Sequence, residues 1–174
     1  MRQGVLELVT PSTPHEEDAL VFAHLVFIVA ANLGTPIRSV GSTTFRRKDL
    51  ERGFEPDSCF YIENEPRIAG KVQIDLTVDP PPDLVIEVDI TSRSLPKFPI
   101  YAQLGVPEIW RYDGQRLFTY KLAGDQYTES DHSATFPWLT SSVLTDFLQK
   151  SKTLKRTDLL RSFREMVREQ QSRK

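Results

Sequence analysis

The stretch Pro80-Pro81-Pro82-Asp83-Leu84-Val85-Ile86-Glu87-Val88-Asp89-Ile90 constrains this chain more than any other. Three prolines cannot donate to a strand ladder, so regular pairing has to begin after them. From there Leu84, Ile86, Val88 and Ile90 point one way, and Asp83, Val85, Glu87 and Asp89 point the other. Three carboxylates on one strand face repel one another, and each costs desolvation unless something neutralises it. Two readings answer this: a divalent cation held among the acids, or an edge strand whose outer face is solvated. Spacing alone leaves both open.

The surrounding pattern predicts a mixed sheet flanked by helices. Ala19, Phe22, Ala23, Val26, Phe27 and Ala30 recur at helical spacing, which predicts a helix over 14–33 stopped by Gly34. Thr13 is the expected N-cap, Pro14 the first helical residue and Glu16 the capping-box partner, with His15 at the surface. Short β-prone runs follow at 40–47, 57–62 and 68–78, the first two separated by a charged loop at 48–55. A short helix is expected over 97–104, because Pro96 and Pro99 are tolerable only in a first turn, and Gly105 ends it. Residues 107–112 and 115–122 read as a hairpin about Asp113-Gly114. Two terminal helices carry Val143, Leu144, Phe147 and Leu148, then Leu159, Leu160, Phe163 and Val167, with Thr157 as the expected cap of the second. Helix, strands, helix, strands and helices in that order define an α/β (α+β) chain. Its length of 174 residues suits one domain, with residues 141–174 as a helical extension.

Composition narrows the function classes. The 39% hydrophobic content supplies a core, and Cys59, the only cysteine, excludes an intramolecular disulfide and a cysteine-based zinc site. The opening residues lack the apolar run of a signal peptide, and the longest apolar stretch is broken by His24 and Asn32. A reducing cytoplasm is therefore the expected location, with no membrane contact. Charge is uneven: residues 1–148 carry −8 and residues 149–174 carry +6. The basic tail can touch phosphates, or can be the solvated face of a terminal helix. Its apolar stripe of Leu159, Leu160, Phe163 and Val167 can pack on its own domain or form a homodimer interface.

Hard oxygen ligands with few histidines favour Mg²⁺ or Mn²⁺, which take one or two carboxylates plus waters and substrate phosphate. Lys97, one short loop beyond the acidic strand, can fold back towards Glu87 and steady negative charge on a phosphorane-like transition state. Asp57, after Pro56, can supply a second carboxylate or be an ordinary turn residue.

Three blocks of sequence together resemble one family. They are Gly53-Phe54-Glu55-Pro56-Asp57 with Phe60-Tyr61-Ile62, Pro82-Asp83-Leu84-Val85-Ile86-Glu87-Val88 with Ser92, and Lys97-x-x-x-Tyr101-Ala102-x-x-Gly105-Val106-Pro107-Glu108-Ile109-Trp110. This combination resembles the Uma-two family, abundant in cyanobacteria and described as restriction endonucleases of the PD-(D/E)XK nuclease superfamily. The likeness runs from His15-Glu16 through Phe136-Pro137-Trp138-Leu139 to the final helix. It implies a restriction-endonuclease-like core, a mixed four-stranded sheet flanked by helices. It also implies metal-dependent hydrolysis of DNA in which Asp57 and Glu87 are metal-binding acids, Lys97 is the catalytic lysine and Glu16 is the glutamate of the first helix. The position two residues after Glu87 holds Asp89, so the lysine role falls to Lys97 on the following helix. Arg46, Arg47, Lys48, Arg52 and the C-terminal helix would then form a basic rim around the acids.

Two rivals belong to other classes. A nuclease fold that has lost cleavage would bind DNA or a protein partner and would not need the metal site, a reading that Asp89 favours. A carboxylate-pair hydrolase acting on a glycan would work in the presence of chelator.

Overall fold

The computed structural model describes residues 12–43, 45–47, 52–90 and 95–172. The opening residues, Lys48 and Ser92 lie outside them. A helix α1 (Thr13–Leu33) opens the fold, followed by strands β1 (Arg38–Ser39), β2 (Phe45–Arg47), β3 (Arg52–Phe54) and β4 (Ser58–Tyr61). A short helix α2 (Glu65–Ile68) precedes β5 (Leu84–Val88), and a 3-10 turn (Leu95–Lys97) runs into α3 (Phe98–Leu104). Strands β6 (Glu108–Tyr112), β7 (Leu117–Ala123) and β8 (Gln126–Ser130) and helices α4 (Ser141–Ser151) and α5 (Arg156–Ser172) complete it. The main sheet has the order β1-β4-β5-β6-β7-β8, and β2 pairs with β3 in a separate hairpin. Among the described strands only β5 and β6 are parallel, joined by a crossover that carries α3; every other pair is antiparallel.

The acidic strand lies inside the sheet, between β4 and β6, with all five residues of β5 buried. A solvated edge is therefore excluded. Its alternation sorts two cores, as the period of two requires. Leu84, Ile86 and Val88 pack with Phe22, Leu25 and Val29 of α1 and with Leu144, Phe163 and Val167 of the last two helices. Val85 packs on the opposite side with Cys59, Tyr61, Tyr101, Leu104 and Ile109. The stripe of α5 is thus used up within its own chain, Leu159, Phe163 and Val167 being buried in the same core as α1. Among the described residues, no helix is long and apolar enough to cross a membrane.

Several expectations need correction. The cap of α1 is Ser12, one residue earlier than Thr13, and its side chain makes no capping bond. The capping box with Glu16 does not form, and Thr157 lies inside the first turn of α5 rather than capping it. Of the run 40–47 the described strand is β2 at its end, Phe45–Arg47, while β1 ends at Ser39 before the run begins. The 48–55 segment includes a strand, β3, rather than loop alone.

The run 68–78 forms no strand. Asp75 accepts hydrogen bonds from Thr77, and Asp79 accepts one from the Asp75 amide at 2.9 Å, so local side-chain bonds turn the chain. Val72 and Val78 consequently stay 96% and 76% exposed. Conversely β8 has no apolar alternation to announce it, since it is a mostly exposed edge strand held by its pairing to β7. The hairpin of β6 and β7 turns at Gly114, whose φ of 91° is open to glycine, while Asp113 accepts the amides of Gln115 and Arg116.

Candidate active site

Asp57 and Glu87 are brought together by strand register. β4 runs antiparallel to β5 with Ser58 opposite Ile86, so the next position sets Asp57 opposite Glu87 on the same face. Glu87 itself is 2% exposed, beside Val85 on the side that α3 covers. That helix and the 3-10 turn leading into it supply its two partners. Lys97 and Tyr101 stand four residues apart, one turn, and so share a helix face. Lys97 Nζ donates to Glu87 Oε1 at 3.1 Å and Oε2 at 2.8 Å, and to the Glu55 carbonyl at 3.3 Å. The Tyr101 hydroxyl donates to Oε1.

Burial dominates the electrostatics of this acid. It pushes Glu87 up to about 7, against the opposing pull of Lys97 and with a further push from the Asp57 charge. The Tyr101 hydroxyl is pushed above its ordinary range by burial and then by Glu87. Cys59, beneath the site, is raised to about 12 by burial and by Glu87, which keeps it a neutral thiol. Its Sγ donates to the Gly41 carbonyl.

Asp57 is held through one oxygen. Oδ2 accepts the Val88 amide at 2.6 Å and pairs with His15 Nε2 at 3.1 Å. His15 is buried, contrary to the surface place expected of it, because it sits on the same helical stripe as Ala19, Phe22 and Val26. That stripe was the signal for it. Glu16 faces solvent with its side chain 66% exposed, and reaches the group only through His15 Nδ1, 3.7 Å from its Oε1.

The three acids flanking the strand pattern do not act as a cluster. Asp83 accepts the Ile62 amide at 2.6 Å, the Asn64 amide at 3.0 Å and the Asn64 side chain at 2.6 Å, and so fixes the turn after β4. Asp89 accepts from Arg111 Nε at 2.5 Å, a residue that register places beside Glu87. Glu87 alone of the three joins Asp57 and Lys97. Arg46, Arg47 and Arg52 lie along the β2–β3 hairpin backbone.

Among the described residues, no three His, Cys, Asp or Glu side chains gather into a metal cage. The donor set that is present suits a hard cation needing only two carboxylates. Mg²⁺ would need only one or two carboxylates beside waters and phosphate oxygens, and among the described residues no donor occupies Asp57 Oδ1. Such a cation would also relieve the repulsion between Asp57 and Glu87.

Fold and site together define a mixed α/β protein with an acid pair and a lysine beside a central strand. The chain belongs to the Uma2 family, "Putative restriction endonuclease", whose model matches residues 1–150. Its fold is similar to that in the crystal structure of "a putative nuclease belonging to DUF820" from Anabaena variabilis ATCC 29413. The TM-score is 0.53 at 15% identity, covering 82% of this chain and 86% of the other. No curated protein matches it.

Proposed function

We propose that this protein is a Mg²⁺- or Mn²⁺-dependent endonuclease that hydrolyses phosphodiester bonds in DNA. The observation that carries the reading is the convergence of three residues from separate elements: Asp57 before β4, Glu87 on β5 and Lys97 before α3, with the Lys97 ammonium 2.8 Å from Glu87. Asp57 and Glu87 are the residues that would hold the cation. When bound, it supplies Lewis-acid polarisation of a phosphodiester oxygen and a lowered pKa for a water.

The protein's own groups do the rest. Lys97, anchored on Glu87 and the Glu55 carbonyl, orients the attacking water and offsets charge on the transition state. Tyr101 fixes the rotamer of Glu87 from the same helix face. Burial strengthens the Tyr101–Glu87 contact, while Lys97 faces the solvent side. Glu16, at the rim beside His15, adds negative charge near the group without a direct bond to either acid.

The test is cleavage of single- and double-stranded DNA with Mg²⁺, Mn²⁺ or a chelator, with Glu87→Ala and Lys97→Ala proteins beside the wild type. The expected result is metal-dependent cleavage lost in both variants. Cleavage in chelator, or wild-type cleavage by Glu87→Ala, overturns the reading. Neither cleavage nor metal binding by the wild type supports the alternative, a nuclease-fold module that binds DNA or a protein partner without cutting. A homodimer would bring two such sites to a duplex, and sedimentation of the protein with and without DNA tests it.

A further inference from the structure

We propose that His15 is a positioning residue for Asp57, one that sets the cation affinity of the site from the opposite layer of the fold. The inference rests on the metal reading of Asp57 above. α1 packs on the sheet face opposite the one that carries Glu87, yet its first turn reaches the end of β5. There His15, 6% exposed, brings Nε2 to 3.1 Å from Asp57 Oδ2.

A carboxylate can only accept, so Nε2 carries the proton and donates it. The Val88 amide donates to the same oxygen at 2.6 Å from a second element, the strand backbone. Two donors on Oδ2 fix the carboxylate's rotation, and among the described residues Oδ1 is left without one. The acid is thereby presented with one oxygen committed to the protein and, among the described residues, the other open, its charge felt by Glu87. Val88 cannot perform this alone, because a single hydrogen bond leaves the carboxylate free to swing about it. Nor does packing account for the placement of an imidazole: among the described residues the buried His15 Nδ1 has no hydrogen-bond partner, a cost that a leucine at this position on the apolar stripe would avoid. Partners that orient a metal-binding carboxylate typically change metal affinity by roughly 10- to 100-fold when removed.

The experiment is calorimetric titration of the whole protein with Mn²⁺, comparing wild type with His15→Leu, His15→Gln and His15→Asn, each checked for folding by its melting curve. The glutamine amide reaches about as far as Nε2, whereas the asparagine amide falls short. The expected result is Mn²⁺ binding weakened roughly 10- to 100-fold in His15→Leu and His15→Asn, and restored to near the wild-type value by His15→Gln. Should the leucine protein fail to fold, the asparagine and glutamine pair carries the comparison. Equal Mn²⁺ affinity in wild type and His15→Asn overturns the inference and leaves the metal reading intact. Absence of Mn²⁺ binding by the wild type overturns both.

Discussion

Lys97 Nζ lies 2.8 Å from Glu87 Oε2, with Glu87 2% exposed and the lysine side chain 36% exposed. One end of the pair is therefore buried and the other opens to solvent, which is the side from which a substrate phosphate can approach. Lys97→Met keeps the stem and removes the charge. Cleavage is expected to fall by about a hundredfold or more, as when a transition-state donor is lost, with the fold retained by circular dichroism. Wild-type cleavage by this protein would remove Lys97 from the chemistry.

Glu87 carries a pH signature of opposite sign to an ordinary surface acid. Burial raises it from 4.5 to about 7, so the native state binds more protons than the unfolded chain between those values. Stability in metal-free buffer should be greatest at the acid end of that window and should decline as pH rises through it, by roughly 3 kcal/mol. Urea unfolding from pH 4.5 to 8 measures the slope, and Glu87→Gln should flatten it. The same proton must leave when a cation binds, so Mn²⁺ affinity should weaken about tenfold per unit of pH below about 7.

Asp57→Ala and Glu16→Ala separate the two acids near the start of α1. The first should abolish Mn²⁺ binding, since Asp57 stands opposite Glu87 by register. The second should leave binding within a few-fold, and should cost little stability because no capping box exists to be lost. Melting curves and titrations on the two proteins decide it. Strong loss of Mn²⁺ affinity in Glu16→Ala would place that residue among the ligands.

Glu108 tests the opposite end of the parallel pair, where Leu84 and Glu108 are in register. Fully buried, it accepts Trp110 Nε1 at 2.7 Å, the amides of Ala134 and Thr135 at 3.0 and 2.8 Å, and the hydroxyls of Ser133 and Thr135 at 3.2 and 2.7 Å. Its role is to hold the segment between β8 and α4. Glu108→Gln replaces an acceptor by a donor among five donors and should cost about 2 to 4 kcal/mol. Denaturant unfolding reads this, and Mn²⁺ affinity of the folded variant should be unchanged.

Local chemistry made the frame legible. Alternation over Leu84 to Val88 assigned the two faces of β5, Gly34 and Gly105 ended α1 and α3 in the left-handed conformation, and the four-residue spacing of Lys97 and Tyr101 put both on one side of a turn. Each is a constraint between neighbours in the chain, so each can be read from the chain. Partnership across the fold is of another kind. The alternation says that Asp83, Glu87 and Asp89 share a side, but not that Asp83 meets the Ile62 amide, that Asp89 meets Arg111, or that Asp57 stands opposite Glu87. Those pairings follow from the register of β4 and β6 against β5, and from where the first turn of α1 comes to rest beside Asp57. Many distant segments compete to set that register through the packing of both cores at once, and no local pattern encodes its outcome.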